Sequence, residues 1–546
     1  MRSLYALIAI LAALAVPFAV QAAKVPRSDE TAAADSKPRR LSLVFINDIH
    51  AQLEPHPELF WSGDRDEFVE NVGGLARIAT VFNRLRAERP DDLMFIDGGD
   101  TIQGSGPAAW TEGRVVVEPM NALGLDFAIP GNWSVAHGAP AWRARSSEFK
   151  YPMIAANMRD KDSGELLFKP YLIKKVNGVK VGFLGFTDPE IPSRQPPHLS
   201  EGLGFDGEEV LPGYVAELRE KHTVDLVVLV THIGLPKSIG LADELEGVDV
   251  ILSADTHERA YDPIIRGNTW VVEAGSFASF VGVLDIQVGD DSKIVDRSWR
   301  LIELRPELFP EDPEVKRVVE TALAPHRERM NRVIGKTASW LARYDVLNTT
   351  LDRLITDSIR QAAGADVALS NGYRFAPPTA PGPITEADLW NWLPIPLELQ
   401  RGEATGAQLR EYWRGEFQNT LADDSKKLHG GWLGRVSGMT VDFRRDAPPG
   451  EHFVDAFVWG LPLKDDQTYS VAAGLRKGAP PDALHRVRGG RNIKPLGVTT
   501  HDAIEDYLKR HPLIRSDDCL NIRCLDHPGL HMRSQILDQL KGSSRR

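Results

Sequence analysis

Cysteine is nearly absent. The 546 residues contain two, Cys519 and Cys524, close together near the C-terminus. That excludes a disulfide scaffold and a cysteine-built zinc fold. The intervening Leu-Asn-Ile-Arg lacks the compact spacing of thiol oxidoreductases, so the pair reads as a small staple of the tail. A basic surface is missing too. The formal net charge is -12, with acid and base interspersed, which argues against nucleic-acid or anionic-membrane partners. Long apolar runs are missing after the start of the chain. The run Leu4 to Val20 follows Arg2 and ends in Val20-Gln21-Ala22, which suits cleavage. It reads as a secretory signal peptide, with an uncleaved anchor as the alternative. No cysteine lies there to carry a lipid. The expectation is a periplasmic or extracellular protein with no membrane segment after cleavage. There is no internal repeat and no long low-complexity segment.

What remains is ordinary for a soluble globular chain: 42% hydrophobic and 26% charged residues, long enough for two or three domains of roughly 100–200 residues each. Residues 1–22 are the signal and the polar stretch 23–40 a linker. From Leu41, apolar runs alternate with amphipathic stretches, the mark of an α/β fold. LSLVFIND, DLMFIDGGD, DFAIPGN, DLVVLVTHIG and VDVILSADTH each read as a buried strand ending in polar residues. Leu75 to Leu85 has helical spacing, and TWVVEAGS and FVGVLDIQV look like closing strands. The first domain spans 41–305, a connector helix 306–334, a smaller second α/β domain 335–510, and a loop-rich tail 511–546.

The polar ends of these runs carry the chemistry. They deliver Asp48, His50, Asp100, Asn132, His232, Asp255 and His257. In α/β folds the carboxyl ends of buried strands converge on one edge, so side chains far apart in sequence meet there. Hard and borderline donors of this kind suit two divalent cations, with manganese, zinc or iron fitting mixed N/O ligation. A carboxylate such as Asp100 can offer one oxygen to each metal, and the preceding glycines allow close backbone approach. Singly, each residue has a plainer reading: surface polarity for Asp48-X-His50, a core histidine for His232, a turn for Asn132 after Pro130-Gly131, a capped loop for Asp255 and His257. The joint pattern is what points to metal.

The segments NDIH, GGLARIA, DGGDTIQGS, PGNW, VTHIG and SADTH, in this order, resemble the metallophosphatase domain of the 5'-nucleotidase superfamily. The resemblance covers about Leu41 to Asp285 and continues from about Val333 to Arg510 into that family's substrate-binding domain. It implies a four-layer β-sandwich flanked by helices, followed by a smaller 5'-nucleotidase-type α/β domain. It also implies hydrolysis by metal-bound hydroxide at a two-metal centre. Asp48, His50 and His257 would hold one ion; Asn132, His232 and Asp255 the other; Asp100 would bridge.

Two departures bear on substrate. The nucleotidases carry Gly-Asn-His-Glu-Phe-Asp-Tyr-Gly, whose His and Asp form a catalytic dyad. Here the stretch is Gly131-Asn132-Trp133-Ser134-Val135-Ala136-His137-Gly138, with Trp and Ala at the dyad positions. An indole N–H donates a hydrogen bond but carries no proton for acid/base work. A Trp at that place resembles the thiosulfohydrolase branch of the Sox sulfur-oxidation system. The DGGDTIQGSGPAAWTEG, LARYDVLNTTLDRLITDSI, ADVALSNGYRF and LHGGWLGRVSGMTVDF stretches are also similar to that branch. It removes a sulfonate group, as sulfate, from a sulfur on a carrier protein's cysteine. That branch has Gly-His-Trp-Glu, so Asn132 and Ser134 depart from it. Both branches usually have Gly-His-Thr-His where this chain has Ala254-Asp255-Thr256-His257. Asp255 makes three carboxylates rather than two. This favours harder manganese over zinc, or signals a weakened or lost second site.

In the second domain, Asn371-Gly372-Tyr373-Arg374 follows an apolar strand. Arg374 can fork onto a phosphate or sulfonate oxyanion. Arg374 and Asn132 are therefore candidate catalytic residues, and Arg374, Asn371 and Trp133 candidate substrate contacts. The Gly430–Trp432 run would border the active-site channel, and His137 and His429 are candidate replacement proton carriers. Three functions stay open: a thiosulfohydrolase-like hydrolase acting on a carrier-protein S-sulfonate or other small anion, a 5'-nucleotidase or related phosphoesterase, and a non-catalytic binding protein on the same scaffold.

Overall fold

A computed structural model of the chain describes residues 38–62, 65–372, 376–422, 428, 432–516, 521–534 and 536–537. The signal peptide, nearly all of the linker, Tyr373, Arg374, His429, Gly430 and Cys519 lie outside the described residues.

Two sheets face each other across an apolar core. One runs in the order Ile294–Glu303, Phe280–Val288, Arg39–Ile46, Leu93–Asp97, Phe127–Ala128. The other runs Ile264–Arg266, Thr269–Glu273, Val250–Ser253, Leu226–His232, Val179–Thr187, Tyr171–Val176. Leu41, Leu43, Phe45, Ile96 and Phe127 from the first sheet pack with Val181, Phe183, Val228 and Leu252 from the second. The central strands are buried on both faces, which is why they read as unbroken apolar runs. Helices cover the outer faces. Leu75–Glu88 buries Leu75, Ile78, Phe82 and Leu85 at helical spacing, and Leu235–Glu244 covers the second sheet. The result is the helix–sheet–sheet–helix stack expected.

Register fixes where the strands end. Ile46 pairs with Asp97 and Asp97 with Ala128, all in parallel strands. In the other sheet His232 aligns with Thr187, Thr231 with Ser253, and Ser253 with Glu273. The ligand-bearing loops therefore leave the two sheets at one edge. The strand expected in DFAIPGN is only Phe127–Ala128; Pro130 has no N–H to extend the ladder.

The connector is more than a spacer. Its helix, Pro313–Leu323, is capped by Asp312 and buries Val315, Val319 and Leu323 in the same core as the helix Leu75–Glu88. The second half is built on the sheet Trp432–Ser437, Val367–Gly372, Thr468–Gly474, Glu398–Thr405, Arg491–Thr499. Three of its helices start with reciprocal capping boxes, Thr385 with Asp388, Thr405 with Gln408 and Thr499 with Asp502. The tail is less loop-like than its sequence suggests: Ile522–Cys524 adds a parallel strand to Met439–Phe443.

The halves are joined by buried polar and aromatic contacts. Arg259 donates to Glu58 Oε1 at 2.9 Å and lies 4.1 Å from the Trp61 ring centre and 4.7 Å from that of Tyr344. Phe68 stacks on Trp340 at 4.3 Å. Glu386 accepts from Arg329 and Arg332, both at 2.7 Å.

Candidate metal centre

The loop after Ile46 folds against the loop after Asp97 through main-chain bonds. Asp48 N donates to Gly99 O at 2.9 Å, His50 N to Asp100 O at 2.9 Å and Ala51 N to Thr101 O at 3.0 Å. This holds Asp48 and His50 beside Asp100. The loops are strained: Asp48, His50, Asp100, Asp255 and His257 have φ of 51, 48, 56, 90 and 58°. Non-glycine residues avoid that region, and such strain gathers where a site must be held in shape.

Several of these side chains are aimed by a second contact. Asp48 Oδ2 accepts from Asn47 Nδ2 at 2.7 Å and Asp255 N at 3.0 Å, whereas its buried Oδ1 has no hydrogen-bond partner. His50 Nδ1 meets Gln103 O at 3.0 Å and His232 Nδ1 meets Gly98 O at 2.7 Å, turning both Nε2 atoms inward. His50 Nε2 lies 3.0 Å from His257 Nε2. Asp100 Oδ2 stands 3.3 Å from His232 Nε2 and 3.7 Å from His50 Nε2. Two groups result in which every donor atom lies within 4.8 Å of the others: Asp48, His50 and His257, and Asp48, Asp100 and His232. Asn132 Oδ1 is buried without a partner, while its Nδ2 donates to Asp255 Oδ1 at 2.7 Å. All seven sequence-derived ligands are thus brought together.

Asp255 is held differently from the rest. Arg194 Nη2 donates to its Oδ1 at 2.9 Å and Arg194 Nη1 to its Oδ2 at 3.1 Å. Arg194 Nη1 also donates to the buried Asp188 at 2.6 Å. Asp188 was open to the same strand-end rule as the other ligands, since it follows VGFLGFT. Arg194 had no sequence signal at all.

The electrostatics suit cations. Burial pushes the Asp48 carboxyl up, but His257, His232 and His50 outweigh it and hold the group well below the carboxylate range. Burial pulls His232 down, yet Asp100, Asp48 and Asp255 drive it well above its ordinary value. For Asp255 burial is overcome by Arg194, and the carboxyl falls. So acidic a buried cluster demands positive charge, from a proton or a metal, and the orphaned Asp48 and Asn132 oxygens fit a metal. Behind the ligands, burial pushes Asp97 up to about 7 and Glu273 up to about 8. Asp97 accepts from Gly99 N and Thr101 Oγ1, and Glu273 from Ser253, Thr256 and Glu258. These two carboxyl groups brace the ligand loops.

Trp133 is half-exposed, and its backbone N–H donates to Asp100 Oδ1 at 2.7 Å. His137 is half-buried, lowered by burial, and belongs to neither ligand group. Asn371 lies next to last in its strand, where its carbonyl accepts from Arg343 at 3.2 Å and its Oδ1 from Arg486 at 3.3 Å. Arg343 also reaches Trp392 O at 3.1 Å, and the adjacent Asn391 accepts from Gln52 at 3.3 Å. The metal-side loop and the end of the Asn371 strand are thus linked through a few contacts.

Residues 41–259 match the family model of the calcineurin-like phosphoesterases, and residues 333–474 that of the 5'-nucleotidase C-terminal domain. A snake venom 5'-nucleotidase of Naja atra is 25% identical over 531 residues, covering 86% of this chain and 96% of the relative. Endonuclease YhcR of Bacillus subtilis is 23% identical over 498 residues and 86% of this chain, but the match spans 39% of that longer protein. The sulfate thiohydrolase SoxB of Thermus thermophilus has a similar fold, with a TM-score of 0.79 at 23% identity, covering 89% of this chain and 97% of that one. A 5'-nucleotidase precursor, also of Thermus thermophilus, follows at 0.76 and 25%, covering 90% and 100%. Fold and centre define a metal-dependent hydrolase of the calcineurin-like phosphoesterase class. More narrowly, the chain belongs to the metallophosphatase and 5'-nucleotidase superfamily, with both SoxB and 5'-nucleotidases among its structural neighbours.

Proposed function

We propose that this chain is an exported hydrolase that releases sulfate or phosphate from an anionic substrate, in the manner of the thiosulfohydrolases. The observation that carries the reading is the Gly131–Gly138 loop. Trp133 and Ala136 stand where nucleotidases place an imidazole and a carboxylate, and the Trp133 main chain is engaged on Asp100. The substrate would be an S-sulfonate on a carrier protein's cysteine or a small phosphate. Export to the periplasm rests on the N-terminal sequence; among the described residues no helix is long and apolar enough to cross a membrane. The working boundaries are 1–22, 23–40, 41–305, 306–334, 335–510 and 511–546.

Asp48, His50, Asp100, His232 and His257, with Asn132, would hold divalent cations, manganese or zinc. Such ions supply Lewis acidity and nucleophile activation. The chain's own residues do the rest. Asn132 would offer its Oδ1 to a cation, since that buried oxygen has no other partner while Asp255 holds its amide. The Trp133 indole would offer an N–H and an apolar face to the substrate. Arg374 would pair with the sulfonate or phosphate oxygens.

A second reading, nucleotide hydrolysis without the dyad, is favoured by the nearly full-length match to the Naja atra 5'-nucleotidase. Metal-reconstituted protein assayed against an S-sulfonated cysteine peptide, AMP and sugar phosphates separates the two. Sulfate release from the peptide supports the first. Phosphate release from AMP at ordinary enzyme rates, with no sulfate release, replaces it with the second.

A further inference from the structure

We infer that Arg194 ties up Asp255 at the second metal position, so that the chain holds one divalent ion tightly and a second only weakly. The inference rests on the metal-centre reading above and concerns how the two positions differ.

The argument begins with Asp255. Both its oxygens are taken by the Arg194 fork, and Oδ1 also accepts the Asn132 amide. A carboxylate engaged this way has little lone-pair density left for a metal. Its nearer oxygen lies 4.0 Å from His232 Nε2, and Asp255 belongs to neither group of converging donors. The second position therefore keeps Asp100, His232 and Asn132, with Asp48 within reach, but loses Asp255. It also gains a guanidinium that contacts the same carboxylate oxygen as Asn132. The guanidinium neutralises Asp255, so that carboxylate adds no net attraction for a second dication. The position built on Asp48, His50 and His257, with Asp100 nearby, instead sets carboxylates against imidazoles.

Arg194 is built in rather than resting there. Asp188, fully buried, takes its Nη1, and Glu190 N fixes the other Asp188 oxygen at 2.9 Å. The carbonyls on either side of Arg194, those of Ser193 and Gln195, both accept from Arg476 of the second half of the chain. The guanidinium is thus positioned from its tip, through two carboxylates, and from its own backbone. Arg194 is shared between Asp255 and Asp188, so its charge is balanced by them and not left for the centre.

The test is metal binding, read without activity. Full-length protein is stripped with a chelator, titrated with Mn2+ and followed by electron paramagnetic resonance, with metal content measured after dialysis. The expected result is about one retained equivalent showing the signal of an isolated ion, and a second equivalent bound at least about tenfold more weakly. In the double variant Arg194→Gln/Asp255→His, about two equivalents should be retained, with exchange coupling between them. Two equally tight, coupled ions in the wild type overturn the inference and leave the metal centre standing. Retention of no ion overturns both. Should the double variant fail to fold, the wild-type titration alone still decides.

Discussion

The backbone N–H of Trp133 donates to Asp100 Oδ1 at 2.7 Å, leaving Asp100 Oδ2 to face His232 and His50. The residue whose side chain breaks the nucleotidase pattern therefore aims the shared carboxylate with its main chain. Side-chain chemistry at 133 is in this way separated from ligand geometry. The position can change what the site accepts without changing how the site is held.

Trp133→Phe should accordingly keep the metal content of the wild type while altering turnover. The expected loss in kcat/KM is about tenfold or more, roughly 1.4 kcal/mol of transition-state stabilisation. Metal analysis beside steady-state kinetics checks this. Loss of metal in step with activity would show that the indole itself supports the ligands.

Asp100→Ala should abolish activity and lower metal content together, because its carboxylate lies between His50 and His232. Unchanged turnover in that variant would sink the metal-centre reading altogether.

Gly131→Ala should act on the same carboxylate from behind. An added Cβ would come within 2.1 Å of Asp100 Oδ1 and 2.4 Å of Asp100 N. Both must shift, at a cost of about 1–3 kcal/mol in stability and a fall in metal affinity. Isothermal titration with Mn2+ and a melting curve measure the two effects. Wild-type affinity would mean that the loop relaxes freely, contrary to its main-chain ties.

Arg259 and Glu58 make the sharpest stability prediction. Both side chains are buried, and Glu58 also accepts from Ser279 at 2.7 Å. Arg259→Met would strand a buried carboxylate, costing about 3–5 kcal/mol. Arg259→Met with Glu58→Gln should recover part of the loss. Denaturant unfolding of both variants checks it, and equal destabilisation in the two would refute the pairing argument.

Much of the site was legible because one rule, polar donors after buried apolar runs, reports strand ends, and parallel register then brings those ends to one edge. The seven candidate residues obey it. What escaped obeys other physics. Arg194 does not sit at a strand end; it reaches the centre from the last position of a short helix, Ile191–Arg194, held by Arg476, a contact between segments 281 residues apart or more. The hairpin His56–Ser62 with Arg65–Val72 was hidden because its charged residues mask alternation. The connector helix was legible, but proline punctuation suggests a spacer and masks the apolar spacing of its face of Val315, Val319 and Leu323. Burial of those three in the first domain's core shows that spacing to be the stronger signal.

His485, in the second half of the chain, carries a pH prediction. Burial, with Arg486 and Arg476 nearby, drives its imidazole well below the ordinary 6.5. The folded chain keeps it neutral, while the unfolded chain takes up a proton below about pH 6.5. Its contribution to stability is therefore complete above pH 6.5 and is lost as pH falls below that value toward the folded pKa. His485→Asn, which tolerates the positive φ of 58° at this position, removes the titration. Between about pH 7.5 and 5 the wild type should lose more stability than the variant, by up to about 1.4 kcal/mol per unit of pH. Urea unfolding at both pH values measures the difference. Parallel losses in the two proteins would show that the imidazole is already protonated, or already solvated, in the folded state.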